Sequence, residues 1–169
     1  MILTFALSFR SWEMFWLAVI GIIIVVFALV NLTDQMLSWL PYVDGTPLTL
    51  KRGFGWLFAP LMWSIGIPWD QAPAAGALMG TKTILNEYVA YLDLAALPAA
   101  TFDARSQLII TYALCGVANL ASVGLLVSTI ATLAPGRRAE VSALGMKSWV
   151  AGNMASAMTG AVIGLVTWV

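Results

Sequence analysis

Glu87 stands between Asn86 and Tyr88 in a stretch whose neighbours are largely apolar. A carboxylate in such surroundings needs hydrogen-bond donors or water. The chemistry open to it is to accept hydrogen bonds from substrate hydroxyls or to take up a proton. The plainer alternative is an ion pair with Lys82. Five residues apart, the two do not share a helix face, but they can meet across a bent tip. Further along, Asn119 and Ser122 are three residues apart and, read as helix, point the same way; Cys115, four before Asn119, shares that face. An amide and a hydroxyl each offer both donor and acceptor, which suits the reading of vicinal hydroxyls. Cys115 contributes at most as a small hydrophobe lining the pocket. Thr81, Lys82 and Thr83 shape the tip near Glu87, where Lys82 can equally snorkel or pair locally.

The elements that position these residues belong in a bilayer. Of 169 residues, 61% are hydrophobic and 9% charged, against about a quarter charged in soluble domains. A soluble core of this size cannot hide that much apolar surface. Eight Trp and four Tyr supply rings of the kind that settle at membrane interfaces. Met14–Thr33 is 20 residues without a charge, too long for a signal-peptide core, and reads as a true span. Asp34–Pro47 reads as a loop, with two Asp, two Pro and a Gly. Leu48–Trp69 mixes Lys51, Arg52, three Gly, two Pro and three Trp, which suits a helix lying on the membrane surface. A kinked transmembrane helix is its alternative.

Asp70–Leu97 cannot span simply. Only 11 uncharged residues separate Asp70 from Lys82, about 16 Å of helix. A straight span then exposes Lys82 or Glu87 to lipid, at roughly 2.5–3.5 kcal/mol each. A re-entrant hairpin avoids this, its polar tip at Gly80–Asn86 buried in protein or lining a wet cavity. Pro98–Arg105 is a polar turn. Ser106–Gly136 is 31 residues without a formal charge, and its centre, Cys115–Gly124, crowds small and polar residues into mid-membrane. That pattern fits a helix broken at mid-depth, or one packed tightly through its small residues. After a net-positive connection (Arg137, Arg138, Glu140, Lys147), the last span runs over Val141–Val169, with Gly152, Ser156, Gly160 and Gly164 as a packing face. The fold class is therefore an all-α membrane protein of about three transmembrane helices, an interfacial helix and one re-entrant hairpin. The positive-inside rule puts Arg137–Lys147 in the cytoplasm, and Lys51, Arg52, Asp103 and Arg105 outside.

Several function classes drop out. Zero net charge and no dense basic cluster give no reason to expect nucleic acid as a partner. No histidine and one cysteine exclude His-based triads, HExxH metal sites and a disulfide. With no GxSxG motif either, an enzyme is not expected, and neither a metal site nor a covalently bound cofactor is assigned.

Two segments carry a resemblance. Gly80-Thr81-Lys82-Thr83-Ile84-Leu85-Asn86-Glu87-Tyr88-Val89-Ala90-Tyr91-Leu92-Asp93-Leu94 resembles the GTK…NE[FY]VAY…DL signature of concentrative nucleoside transporters. Ala113–Gly124 resembles their ALCGFANFxSxG segment, and Leu48–Trp69 looks like their lead-in. The likeness runs from about Leu48 to the C-terminus. It implies a cation-coupled nucleoside symporter of the plasma membrane, the inner membrane in a bacterium, working as a homotrimer with a transport domain that moves past a scaffold. Residues 1–47 then correspond to a scaffold helix and loop, 48–69 to the interfacial helix, 70–97 to the second re-entrant hairpin, and 98–169 to the broken helix and final packing helix. The ribose contacts fall on Glu87, Asn119 and Ser122, with Asn86, Cys115 and Val117 as pocket lining. Val117 stands where the family commonly has an aromatic, and Leu120-Ala121 replaces a Phe-small pair.

Family members also carry an inverted half with the nucleobase contacts and the main ion site, and residues 1–47 show no matching hairpin. The expectation is a C-terminal half, a fragment or split partner that does not transport alone and needs the N-terminal half as partner. The coupling ion, Na+ or H+, then binds in that other half. A non-transporting assembly subunit or a degenerate fragment is the alternative, and it leaves Glu87 without a purpose.

Overall fold

A computed structural model describes residues 17, 20–21, 24–40, 42 and 47–167. All regular structure among them is helical: α1 (Ile24–Leu37), α2 (Leu50–Ser64), α3 (Ala72–Ile84), α4 (Glu87–Ala96), α5 (Ala104–Leu114), α6 (Leu120–Leu133), a 3-10 turn at Pro135–Arg137, and α7 (Arg138–Val166). Most of the candidate span Met14–Thr33 before Ile24 lies outside the described residues. Its end differs from expectation, because α1 continues through Asp34 to Leu37. Asp34 is kept in the helix by a useful partner: its Oδ1 accepts the Leu50 backbone N–H at 2.7 Å, capping one of the free donors at the start of α2. Thr49 caps another, from Arg52 N–H.

α2 and α3 form an antiparallel pair whose backbones nearly touch. A Cβ on Gly55 would lie 2.8 Å from the Pro73 carbonyl, and one on Gly76 would lie 2.5 Å from the Gly55 carbonyl. Gly80 sits against Phe54. The helix ends at Ser64 and not Trp69, since Gly66 takes φ +106°, a conformation costly for any side chain. Lys51 consequently lies at the hairpin-tip end of α2, far from Arg105, and pairs with Asp93 at 2.7 Å.

The chain then folds back. Thr81 Oγ1 donates to Asp93 Oδ2 at 3.2 Å, whereas twelve residues of continuous helix would separate them by about 18 Å. α3 and α4 are thus a helical hairpin, joined at Leu85 and Asn86. Met62, Ile67, Met79, Ile109, Ile110 and Leu114 form the buried core between α2, α3 and α5.

α5 and α6 divide the long uncharged stretch, with Cys115–Asn119 as the interruption. α5 packs on α7 through the small-residue face: Cβ atoms on Gly160 and Gly164 would lie 2.9 Å from the Ile109 carbonyl oxygen and the Ile109 Cδ1. α7 starts at Arg138, three residues before the expected Val141, so most of the basic connection is helix; Arg137 and Glu140 pair at 2.7 Å. Pro135–Val166 is long and apolar enough to cross a membrane, while α1 and α6 are shorter apolar helices.

Arg105 ties one end of the bundle together. Its guanidinium donates to the Gly66 carbonyl at 2.6 Å and the Gly164 carbonyl at 2.8 Å, joining the α2–α3 turn to the C-terminal end of α7. Beside it Asp103 caps α5 by accepting the Ser106 N–H at 2.7 Å. That bond holds the Asp103 carboxyl below its ordinary range, with Gln71 adding to the effect.

Candidate functional site

Two half-helices begin at the same place. α4 is capped by Asn86, whose Oδ1 accepts the Val89 N–H at 2.9 Å. α6 is capped by Asn119, whose Oδ1 accepts the Ser122 N–H at 2.7 Å. Asparagine is among the best residues for this position because its short side chain satisfies a backbone donor the helix leaves free. Both caps have extended backbone, and both mark the points where the sequence suggested a break.

The two helix N-termini carry partial positive charge, and Glu87, first residue of α4, places a carboxylate between them. Asn119 Nδ2 donates to Glu87 Oε2 at 3.4 Å, a long bond. Glu87 is half-buried and Asn119 is 2% exposed. The Ser122 hydroxyl has no hydrogen-bond partner among the described residues. Asn86, Glu87, Tyr88, Asn119 and Ser122 line one cleft of about 350 Å³, closed on its apolar side by Val26 and Phe27 of α1 and Leu125 of α6. That volume is at the small end for ligand sites. Chemically the cleft offers carboxylate acceptors, an amide donor and a free hydroxyl within reach of one small polar molecule.

The structure thus brings Asn86, Glu87, Asn119 and Ser122 together. Cys115 and Val117 lie elsewhere. The expectation that Cys115 shares a helix face with Asn119 fails, because Asn119 is a cap with extended backbone and no helix runs continuously between them. Both residues line a different cleft, of about 370 Å³, on the α5–α7 side of the break.

Lys82 also departs from the ion-pair alternative. It is fully buried, and among the described residues its ammonium meets no carboxylate within ion-pair distance. It donates to Asn153 Oδ1 at 3.1 Å and to Ser156 Oγ at 3.0 Å, both on α7. Asn153 also accepts from Thr83 Oγ1 at 3.1 Å and donates to the Ala118 and Trp149 carbonyls, each at 3.0 Å. Trp149 Nε1 reaches the Thr83 carbonyl at 3.4 Å. Gly116 closes over this cluster, and a Cβ there would overlap Ser156 Oγ. Sequence reasoning gave Ser156 to packing alone and did not single out Asn153. The available signal was an amide and a hydroxyl three residues apart in the middle of an apolar span, on one helix face.

Comparison with known proteins supplies independent findings. The family profile described as "Na+ dependent nucleoside transporter C-terminus" matches residues 8–164. The chain is 38% identical over 118 residues to the putative nucleoside permease NupX of Escherichia coli, covering 69% of this chain and 28% of the relative. It is 36% identical over 122 residues to the nucleoside permease NupC of Helicobacter pylori, covering 70% and 29%. A solved structure of CNTnw in an inward-facing substrate-bound state superimposes with TM-score 0.77 at 37% identity, over 88% of this chain and 37% of the other. The chain therefore spans about three tenths of these curated relatives and under two fifths of that solved chain.

Proposed function

The chain belongs to the Na+ dependent nucleoside transporter family, matched by its C-terminus profile, and from that premise we propose that it supplies the ribose-side contacts of a cation-coupled nucleoside symporter. Family members of this kind are integral membrane proteins, not enzymes. The observation that carries the reading is the meeting of Glu87, Asn119 and Ser122 where two half-helices begin. Glu87 accepts hydrogen bonds from vicinal hydroxyls, while Asn119 Nδ2 and the free Ser122 hydroxyl supply donors. In the bilayer, α3 and α4 form a re-entrant hairpin, and α5–α6 form a broken helix whose freed ends hold polar substrate. α2 lies toward the membrane surface with Trp56, Leu57 and Trp63 outward.

The chain acts with further transporter elements that read the base and bind the coupling cation, which is not assigned to residues of this chain. α6 contributes no buried residue, and the face of α7 carrying Val150, Met154, Met158 and Val162 is exposed; these surfaces meet lipid, the rest of the transporter and, in a homotrimer, its copies. The membrane is the inner membrane in a bacterial cell.

Uptake of labelled uridine in a transport-deficient cell tests this. The chain joined to or co-expressed with the remaining part of a family transporter gives sodium-dependent accumulation; Glu87→Gln and Asn119→Ala each lower it sharply at uridine concentrations below the wild-type KM. Nucleoside affinity that neither change lowers defeats the site assignment. Robust accumulation by the chain alone defeats the shared-function reading.

A further inference from the structure

Lys82 is the largest fully buried side chain described in the molecule, and the substrate chemistry above makes no use of it. Its position links three elements. It leaves the last turn of α3, three residues before the hairpin break. Its ammonium rests on Asn153 and Ser156 of α7. It lies beside Gly116 in the interruption between α5 and α6, about where the partial negative charge at the C-terminal end of α5 is strongest (3.8 Å from the position of a Gly116 Cβ). Asn153 extends the link, since the same amide that accepts from Lys82 donates to the Ala118 carbonyl, next to Asn119. From ammonium to cap, each step is a hydrogen bond or a covalent neighbour.

We propose that Lys82 is a positioning residue for the ribose site, a tethered cation that locks the hairpin break to the helix break so that Glu87 and Asn119 face one cleft. The arrangement is complementary. The two N-terminal helix ends, positive in character, face the Glu87 carboxylate, and the C-terminal end of α5, negative in character, lies toward the Lys82 ammonium. Gly116 fits the same account, because any side chain there would displace Ser156 from the ammonium. The proposal rests on the ribose reading for its consequence, but the tether itself can be tested without nucleoside.

Cys115, the chain's one cysteine, is exposed at the start of the interruption and reports on its geometry. In the purified chain in nanodiscs, Lys82→Ala should change the rate of Cys115 alkylation, read by mass spectrometry, at least about threefold, as a local opening equilibrium shifts. n-Propylammonium, which restores the missing atoms and charge, should return the rate toward wild type; n-propanol should not. In the uptake-competent assembly, the same variant should weaken uridine binding about tenfold, with recovery in propylammonium. A rate and an affinity within twofold of wild type would overturn the proposal. So would a change that propylammonium fails to reverse, or that propanol reverses as well, since Lys82 would then act by packing alone. If Lys82→Ala does not fold, Ser156→Ala removes one acceptor and keeps a small side chain. It should shift the Cys115 rate in the same direction, and no shift there overturns the tether.

Discussion

The spacing Asn-x-x-Ser occurs both at residues 119–122, where α6 begins after the interruption, and at 153–156, within α7. In α7 the helix is continuous, so Asn153 and Ser156 project from one face and are saturated. The Asn153 amide makes two bonds as acceptor and two as donor, and Ser156 accepts from Lys82 while donating to the Gly152 carbonyl. At 119–122 the helix starts anew, so Asn119 turns its oxygen to the backbone and leaves its NH2 group on Glu87 through one long bond, with the Ser122 hydroxyl unpaired among the described residues. The same two residue types make a closed network in one place and an open one in the other. Buried polar groups with full partners fix structure, while groups with spare capacity beside a cleft are available to a ligand. Changes at Asn153 and Ser156 should therefore act on stability, and changes at Asn119 and Ser122 on binding.

The largest effect is expected at Asn153. Asn153→Ala removes one of the two acceptors of Lys82, the acceptor of Thr83 and the side-chain donor to two carbonyls inside the bundle, and should cost on the order of 3 kcal/mol, seen as a lower thermal unfolding temperature in nanodiscs. An unchanged unfolding temperature breaks the contrast. Glu87→Gln sits at the other extreme of mechanism. It should leave unfolding within about 0.5 kcal/mol of wild type, while weakening nucleoside binding by roughly 2 kcal/mol through loss of charge-assisted bonds, measured by isothermal titration on the uptake-competent assembly. Ser122→Ala should lower affinity by about 1 kcal/mol without affecting stability, because its hydroxyl has no described partner to lose.

Much of the polar lining of the cleft was legible from residue types. Glu87, Asn119 and Ser122 stand out because polar groups in an apolar stretch need a reason to be there. What could not be read was how Asn119 works. A three-residue spacing suggests a shared helix face, but the residue is a cap, and the face exists only from Leu120 onward. The placing of Cys115 on the same helix face as Asn119 rests on the same assumption of continuous helix, which the break at Cys115–Asn119 removes. The Lys82–Asn153 bond joins residues 71 apart, a separation over which local periodicity carries no information. Gly116 and Gly145 look like ordinary small residues until the neighbouring atoms, Ser156 Oγ and Val127 Cγ2, are in place.

The smallest effect is expected far from both pairs, at the end held by Arg105. Asp103 has a depressed carboxyl, so its contribution to stability is present above the ordinary Asp value of about 4 and is lost as pH falls through the lower folded value. Asp103→Asn should flatten that acid limb of the stability curve slightly and leave nucleoside affinity unchanged. A shift in affinity would show that the two ends of the bundle are coupled.

Hydroxyl recognition at the open pair is most directly measured by comparing uridine with 2′,3′-dideoxyuridine in binding titrations of the uptake-competent assembly, wild type against Glu87→Gln. Wild type should prefer uridine by about tenfold or more, and the preference should collapse when Glu87 is replaced. Equal affinity for the two nucleosides in the wild type, or a preference that Glu87→Gln leaves intact, would contradict the assignment of the ribose to Glu87, Asn119 and Ser122.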